Sequence, residues 1–189
     1  MKRETRDRNV LDKFAKDFVS VIEKITEYII VSGFVAITHG RSRGTEDIDV
    51  IIRRIAKEKF SGMHAALEKS GFECIQSDDA GSIYEQLNDN QSVRYVRKGE
   101  VIPEIELKFA RDVLDDYQLK TKKKLPLSGM DVWFSSIEVN IAFKEELLKS
   151  PKDLEDAKHL RIIYSGKINE NEINKVKDMI RKYRLSKIR

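Results

Sequence analysis

Two aspartates, Asp47 and Asp49, stand two positions apart in the run Asp47-Ile48-Asp49-Val50-Ile51-Ile52. The β-branched residues around them predict a strand, and side chains two apart on a strand share a face. Two carboxylates on one face repel unless a cation sits between them, and oxygen ligands of this kind suit Mg²⁺. Upstream, Arg41 and Arg43 flank Ser42 in a loop bounded by Gly40 and Gly44. Guanidinium groups and turn amides hold phosphate, so the segment offers both halves of a nucleotide site. A solvent-facing strand that carries alternating acids is the plain alternative.

The order of the surrounding segment narrows that choice. Tyr28-Ile29-Ile30-Val31 reads as a buried strand, Ser32-Gly33 as a turn, and Phe34 to Thr38 as the start of a short helix. This arrangement resembles the DNA polymerase β-like nucleotidyltransferase superfamily, in which a hydrophobic residue and a Gly-Gly or Gly-Ser turn precede an Asp-hydrophobic-Asp strand. It is most similar to a small prokaryotic branch that includes the AbiE-type abortive-infection toxins, on Ala36, His39, Gly40, Arg43, Thr45, Asp47 and Asp49. Ser32 stands where the first glycine of the turn is usual. The resemblance implies an α+β fold, a small mixed nucleotidyltransferase sheet flanked by helices. It further implies metal ligation by Asp47 and Asp49, and nucleotide binding by Ser32, Gly33, Arg43 and Thr45.

A second acidic strand is predicted from Val101 to Phe109. Its alternation puts Glu104, Glu106 and Lys108 on one face and Ile105, Leu107 and Phe109 on the other, while Pro103 confines the start of the strand to an edge or to its first residues. The family resemblance implies a third carboxylate on a later strand beside the aspartates; Glu106 is the choice and Glu104 the reserve. Lys108 shares that face and is placed to pair with a carboxylate or with phosphate. A half-exposed charged strand remains the alternative.

The C-terminal part adds a lysine and a Lys-Asp-x-x-Asp-like element, Phe143-Lys144 followed by Lys152-Asp153-Leu154-Glu155-Asp156. This again resembles the same small nucleotidyltransferases, and implies Lys144 as a triphosphate ligand, Lys152 as its reserve and Asp156 as an acid near the reactive centre. Lys152 and Asp156 are also spaced i, i+4, which on an exposed helix gives an ion pair worth about 0.3 to 0.5 kcal/mol and no more.

These parts imply transfer of a nucleoside monophosphate from an NTP to a hydroxyl acceptor, with Mg²⁺ as cofactor. Asp47, Asp49 and Glu106 are the catalytic carboxylates. The acceptor is left open among a tRNA end, a protein and a small molecule, and an antitoxin is a possible partner. A nucleotidyltransferase fold without activity, binding nucleic acid or a protein, is the rival from another class.

Elements that would position the site follow from periodicity. Val10, Leu11, Phe14, Phe18, Val21, Ile22 and Ile25 predict a first helix; Phe60, Met63 and Leu67 predict another that stops at Gly71, with Phe72 to Ile75 as a strand. Short strands are predicted at 122–127 and 131–134 around a Ser128-Gly129 turn. From Ser136 the pattern is helical, Ser150-Pro151 opens a further helix with Leu154, Ala157, Leu160 and Tyr164 inward, and Ile173, Val176, Ile180 and Tyr183 line the last one. The expected division is a core over 1–135 and a C-terminal helical region over 136–189.

Composition sets the outer limits. The chain has 189 residues and a net charge of +4, and from Lys175 to Arg189 there are seven basic residues against one acid. Such a tail is either a nucleic-acid contact or a solvated helix end. Charged residues make up 36%, above the roughly 25% of an average domain, as in heat-adapted proteins. The single cysteine, Cys74, allows no internal disulfide and points to a reducing cytoplasm, where its apolar flanks suggest a buried strand position. No apolar run is long enough to span a membrane and no signal peptide is expected. His64 reads as a partly buried or surface histidine and not a ligand, and Trp133 as a packing residue, with base stacking the alternative.

Overall fold

A computed structural model describes residues 2–42 and 47–187. The chain opens with helix α1, Lys2–Ile22, which buries Phe14, Ala15, Phe18, Val19 and Ile22 on one face and leaves Val10 exposed. Strand β1, Tyr28–Val31, is buried on both faces and leads directly into α2, Gly33–Thr38. Next come β2, Asp47–Ile52, α3, Lys57–Lys69, and β3, Phe72–Cys74. Helix α4, Ala80–Asn88, is capped by the Asp79 carboxylate, which accepts from the Ser82 amide, and β4, Val93–Arg97, follows it. Then β5, Glu104–Phe109, leads to α5, Val113–Lys120, capped by Asp112.

Two-residue strands β6, Lys123–Lys124, and β7, Trp133–Phe134, pair antiparallel around a 3₁₀ turn at Pro126–Ser128 and Gly129, whose φ is +72°. Helix α6, Ile137–Ala142, runs on as a π-helical segment, Phe143–Leu148, that stops at Lys149 in the left-handed region. Helices α7, Pro151–Ile163, and α8, Glu170–Lys187, complete the chain.

Among the described residues seven strands form one mixed sheet in the order β3-β4-β5-β2-β1-β7-β6. At its centre β2 runs parallel to β5 and antiparallel to β1. One face, through Ile30, Ile48, Val50, Ile105, Leu107 and Phe109, belongs to the main core with Phe14, Phe18 and Phe60 from α1 and α3. The same cluster takes in Leu160, Ile173, Val176 and Ile180 from the C-terminal helices. On the other face Ile29, Val31 and Ile51 meet Leu119 of α5, and the charged residues of β2 and β5 lie beside that small cluster. At its centre the sheet therefore has one apolar side and one on which α5 packs against Ile29, Val31 and Ile51.

Several expectations need correction. Val101 and Ile102 are exposed, and the strand expected from 101 begins at Glu104, once proline, which can donate no ladder hydrogen bond, has been passed. Leu154, expected inward, is 47% exposed, because α7 turns Asp156 inward instead. Cys74 is half-buried and its neighbour Ile75 is exposed, since β3 is an edge strand. His64 is more buried than expected: its Nε2–H donates to the Asp78 carbonyl at 3.3 Å, so Nδ1 accepts from the Tyr95 hydroxyl at 2.9 Å. Sequence periodicity gave no sign of α4, β4 or α5.

Candidate active site

The site starts where β1 ends. Ser32 has φ 65° and ψ −135°, a conformation that glycine adopts readily and other residues avoid. Gly33, the next residue, has no positive φ and opens the buried helix α2. The turn thus places its unusual backbone on the serine, whose hydroxyl hydrogen-bonds the Asp49 carboxylate across the sheet.

Register then decides which acids meet. Val31 pairs with Asp49 across β1 and β2, and along the parallel pair Asp47 lies beside Glu104, Asp49 beside Glu106, and Ile51 beside Lys108. Neighbouring strands are about 4.8 Å apart, so Asp49 and Glu106 confront each other on the face opposite the core. Burial pushes the Asp49 carboxyl above its usual range, and the Glu106 charge adds to that; the Ser32 hydrogen bond and Lys108 oppose it. Glu104 is also raised, chiefly by burial, yet it is tied 3.2 Å from Arg94 of β4.

A cavity of about 310 Å³ opens over this face. Ser32, Asp49, Glu106, Lys108, Asn140 and Lys144 contribute polar lining, and Phe143 and Leu147 an apolar wall. Lys108 stands 3.5 Å from Asp115 of α5, a buried carboxylate that also accepts from the Arg111 amide at 3.1 Å. Asp115 and Gln118 line the cavity too. Sequence periodicity missed them because it missed α5, although Asp112 followed by Asp115 is a helix-start signal.

Lys144 sits in the π-helical segment with its side chain 1% exposed. Its ammonium lies 2.9 Å from Asp156 and 3.3 Å from Asp153, both on α7. The other Asp156 oxygen takes Nε of Arg41 at 2.6 Å, and Arg41 also pairs with Glu155. Asp156 is therefore fully buried and engaged with Arg41 and Lys144, and the expectation of a surface pair with Lys152 is corrected. Lys152 is exposed on the first turn of α7 and Asp156 stands behind Lys144; neither lines the cavity.

His39 locks this loop to α7. Its Nδ1–H donates to the Val35 carbonyl at 2.7 Å, so Nε2 accepts from the Tyr164 hydroxyl at 2.7 Å, and His159 donates to the His39 carbonyl at 3.0 Å. Arg43 and Thr45, expected to bind nucleotide, lie outside the described residues. Three of the seven basic residues of the tail hold the π-helical segment: Lys177 pairs with Glu145 at 2.6 Å, Arg181 with Glu146 at 3.0 Å, and Arg184 donates to the Leu147 carbonyl at 2.7 Å.

Among the described residues no three His, Cys, Asp or Glu side chains are gathered into a metal-binding group. The Asp49 and Glu106 pair still fits Mg²⁺, which takes one or two carboxylates together with water and substrate phosphates rather than an all-protein cage. Asp47, exposed at the start of β2, lies beside Glu104 and does not line the cavity. No described helix is long and apolar enough to cross a membrane.

No family model and no curated relative matches the chain. Among solved structures it is similar to the antibiotic-resistance factor ANT(2'')-Ia, at 13% identity and a TM-score of 0.57, over 94% of this chain and 95% of that one. An antigenic nucleotidyltransferase-like protein from Paracoccidioides brasiliensis matches at 20% identity and a TM-score of 0.49, over 95% of this chain and 88% of that one. The fold is α+β, a mixed sheet flanked by helices, and it is shared with that resistance factor.

Proposed function

We propose that the protein is a Mg²⁺-dependent nucleotidyltransferase that moves a nucleoside monophosphate from an NTP to a hydroxyl acceptor. The observation that carries this reading is the parallel register that sets Asp49 beside Glu106 at the wall of a cavity also lined by Lys108 and Lys144. Opposed carboxylates in a cavity lined by two lysines would suit a triphosphate bound with a metal ion.

In this reading Asp49 and Glu106, with Asp47, hold the metal, which when bound neutralises the triphosphate and stabilises the attacking and leaving oxygens. Ser32 orients the Asp49 carboxylate. Lys108 and Lys144, with Arg43, Thr45 and the Ser32-Gly33 turn, bind phosphate oxygens; Lys152, exposed outside the cavity lining, is only a reserve. Glu106 takes the proton of the acceptor hydroxyl as its oxygen bonds to the α-phosphorus. The bond from that phosphorus to the bridging oxygen breaks, and pyrophosphate leaves. Asp156 acts through Lys144, as a positioning residue rather than as an acid in the cavity.

The finer assignment follows the sequence resemblance: an AbiE-type, toxin-like enzyme of the cytoplasm with a partner antitoxin, built as a core over 1–135 with the 136–189 region packed on it. The test is incubation of the protein with labelled ATP, CTP, GTP or UTP, Mg²⁺ and cell extract. Labelled product is expected with the native protein and none with Asp47→Asn or Asp49→Asn. Native-level transfer by either variant rejects the site, and no transfer by the native protein favours a binding module that lacks catalysis.

A further inference from the structure

A second concavity lies at the end of the sheet opposite the carboxylates. Strands β1 and β2 carry Val31 and Asp49 at one end and Tyr28 and Ile52 at the other. Beyond that far end, Glu23 to Tyr28, Arg53 to Ile55, Lys59, Lys122 and Trp133 enclose a cleft of about 600 Å³. Five of these residues are basic (Lys24, Arg53, Arg54, Lys59 and Lys122) and two are acidic (Glu23 and Glu27), an excess of three positive charges.

The cations are arranged rather than scattered. Glu27 accepts from Arg53 Nε at 2.6 Å and from Lys122 Nζ at 2.9 Å, which fixes the two side by side across the cleft floor. Arg54 is braced by the Asn88 side chain at 2.6 Å, while Lys24 and Lys59 are exposed at the rim. Trp133, the sole tryptophan, is half-buried in the wall, with the ammonium groups of Lys122 and Lys124 at 5.4 and 4.7 Å from its ring centre. An aromatic ring set among ordered cations serves two chemistries at once: the π face of a base, and the phosphates on either side of it.

We propose that this cleft binds single-stranded nucleic acid, with a base against Trp133 and the flanking phosphates on Arg53, Arg54, Lys59 and Lys122. A single strand is favoured over a duplex because a duplex hides its base faces, and over a free phosphate because the cations are spread along the cleft. The site shares no lining residue with the carboxylate cavity and does not depend on the catalytic reading.

The sole tryptophan makes the test site-specific. Titration with a 12-nucleotide oligouridylate should quench Trp133 fluorescence, with an affinity that falls with salt at a log–log slope of about −3, as phosphate contacts to about four cations require. Lys24→Glu with Lys59→Glu, both at exposed positions, should weaken binding at least tenfold at about 50 mM salt and flatten the slope. Asp49→Asn should bind as the native protein does, whatever happens to nucleotide transfer. Absence of quenching at low salt, equal affinity for uridine monophosphate and the 12-mer, or binding unchanged by the double substitution would each overturn the proposal.

Discussion

The ammonium of Lys144 lies 2.9 Å from a carboxylate oxygen of Asp156, and both side chains are buried. Arg41 holds the other oxygen, so one carboxylate ties the loop after α2 to the segment that presents Lys144 to the cavity. Removing one partner from a buried ion pair leaves an uncompensated charge and costs about 3–5 kcal/mol. Asp156→Ala removes the carboxylate that two cations share, leaving Lys144 with Asp153 and Arg41 with Glu155, and is expected to fall at the lower end of that range. Lys144→Met leaves Asp156 paired with Arg41 and should cost less. Urea unfolding midpoints at constant m-value measure the difference; an Asp156→Ala protein as stable as the native one would show that the network is not formed.

Ser32 is expected to separate stability from site geometry. Its positive φ costs a non-glycine residue about 1–3 kcal/mol. Ser32→Gly relieves that and should raise the melting temperature, while Ser32→Ala keeps the strain and should not. Both lose the hydroxyl that orients Asp49 and should weaken Mg²⁺ binding in calorimetry to a similar extent. Mg²⁺ affinity that is unchanged in both would remove the positioning role.

The contrast between these two sites explains what could be read from the sequence. The face shared by Asp47 and Asp49, and by Glu104, Glu106 and Lys108, follows from period-2 alternation within each strand, so it was legible without a fold. That β2 and β5 lie side by side with Asp49 opposite Glu106 is a matter of register between strands, and the family resemblance supplied only the need for a third carboxylate. Asp156 was placed near the reactive centre by resemblance, but its partner Arg41 lies 115 residues away in sequence, a pairing that no local pattern encodes. Helix α5 escaped because it has eight residues, with Leu114 and Leu119 buried and Val113 exposed, too few positions to show a helical period.

Glu27 should contribute to acid sensitivity. Hydrogen bonds from Lys122 and then Arg53 hold its carboxyl below the usual value of 4.5, so it favours the charged form in the folded protein. A carboxylate depressed in this way stabilises the fold above its unfolded pKa, and that contribution is lost as pH falls through the folded value. The side chain is 48% exposed, so solvent and salt reduce the effect. Glu27→Gln should therefore melt below the native protein at pH 7 in low salt, and the gap should close as the pH drops beneath 4.5. A gap that stays constant with pH would assign the loss to packing instead.

The facing pair of Asp49 and Glu106 makes the opposite prediction, that a substitution which disables the proposed site should stabilise the metal-free protein. Two ionised carboxylates side by side on neighbouring strands disfavour the fold, by up to about 1 kcal/mol. Asn at position 49 keeps the size of the side chain and still accepts from Ser32, but removes the charge. In the presence of a chelator Asp49→Asn is expected to melt above the native protein by about 2–4 °C, the shift such an energy gives in a domain of this size. Mg²⁺ should reverse the order: a cation that binds the native state raises its melting temperature by mass action, and the substituted site has lost the charge that attracts it. Melting curves recorded with chelator and with Mg²⁺ contain the whole test. If the native protein shows no Mg²⁺ shift, or Asp49→Asn shows an equal one, these carboxylates do not hold the metal.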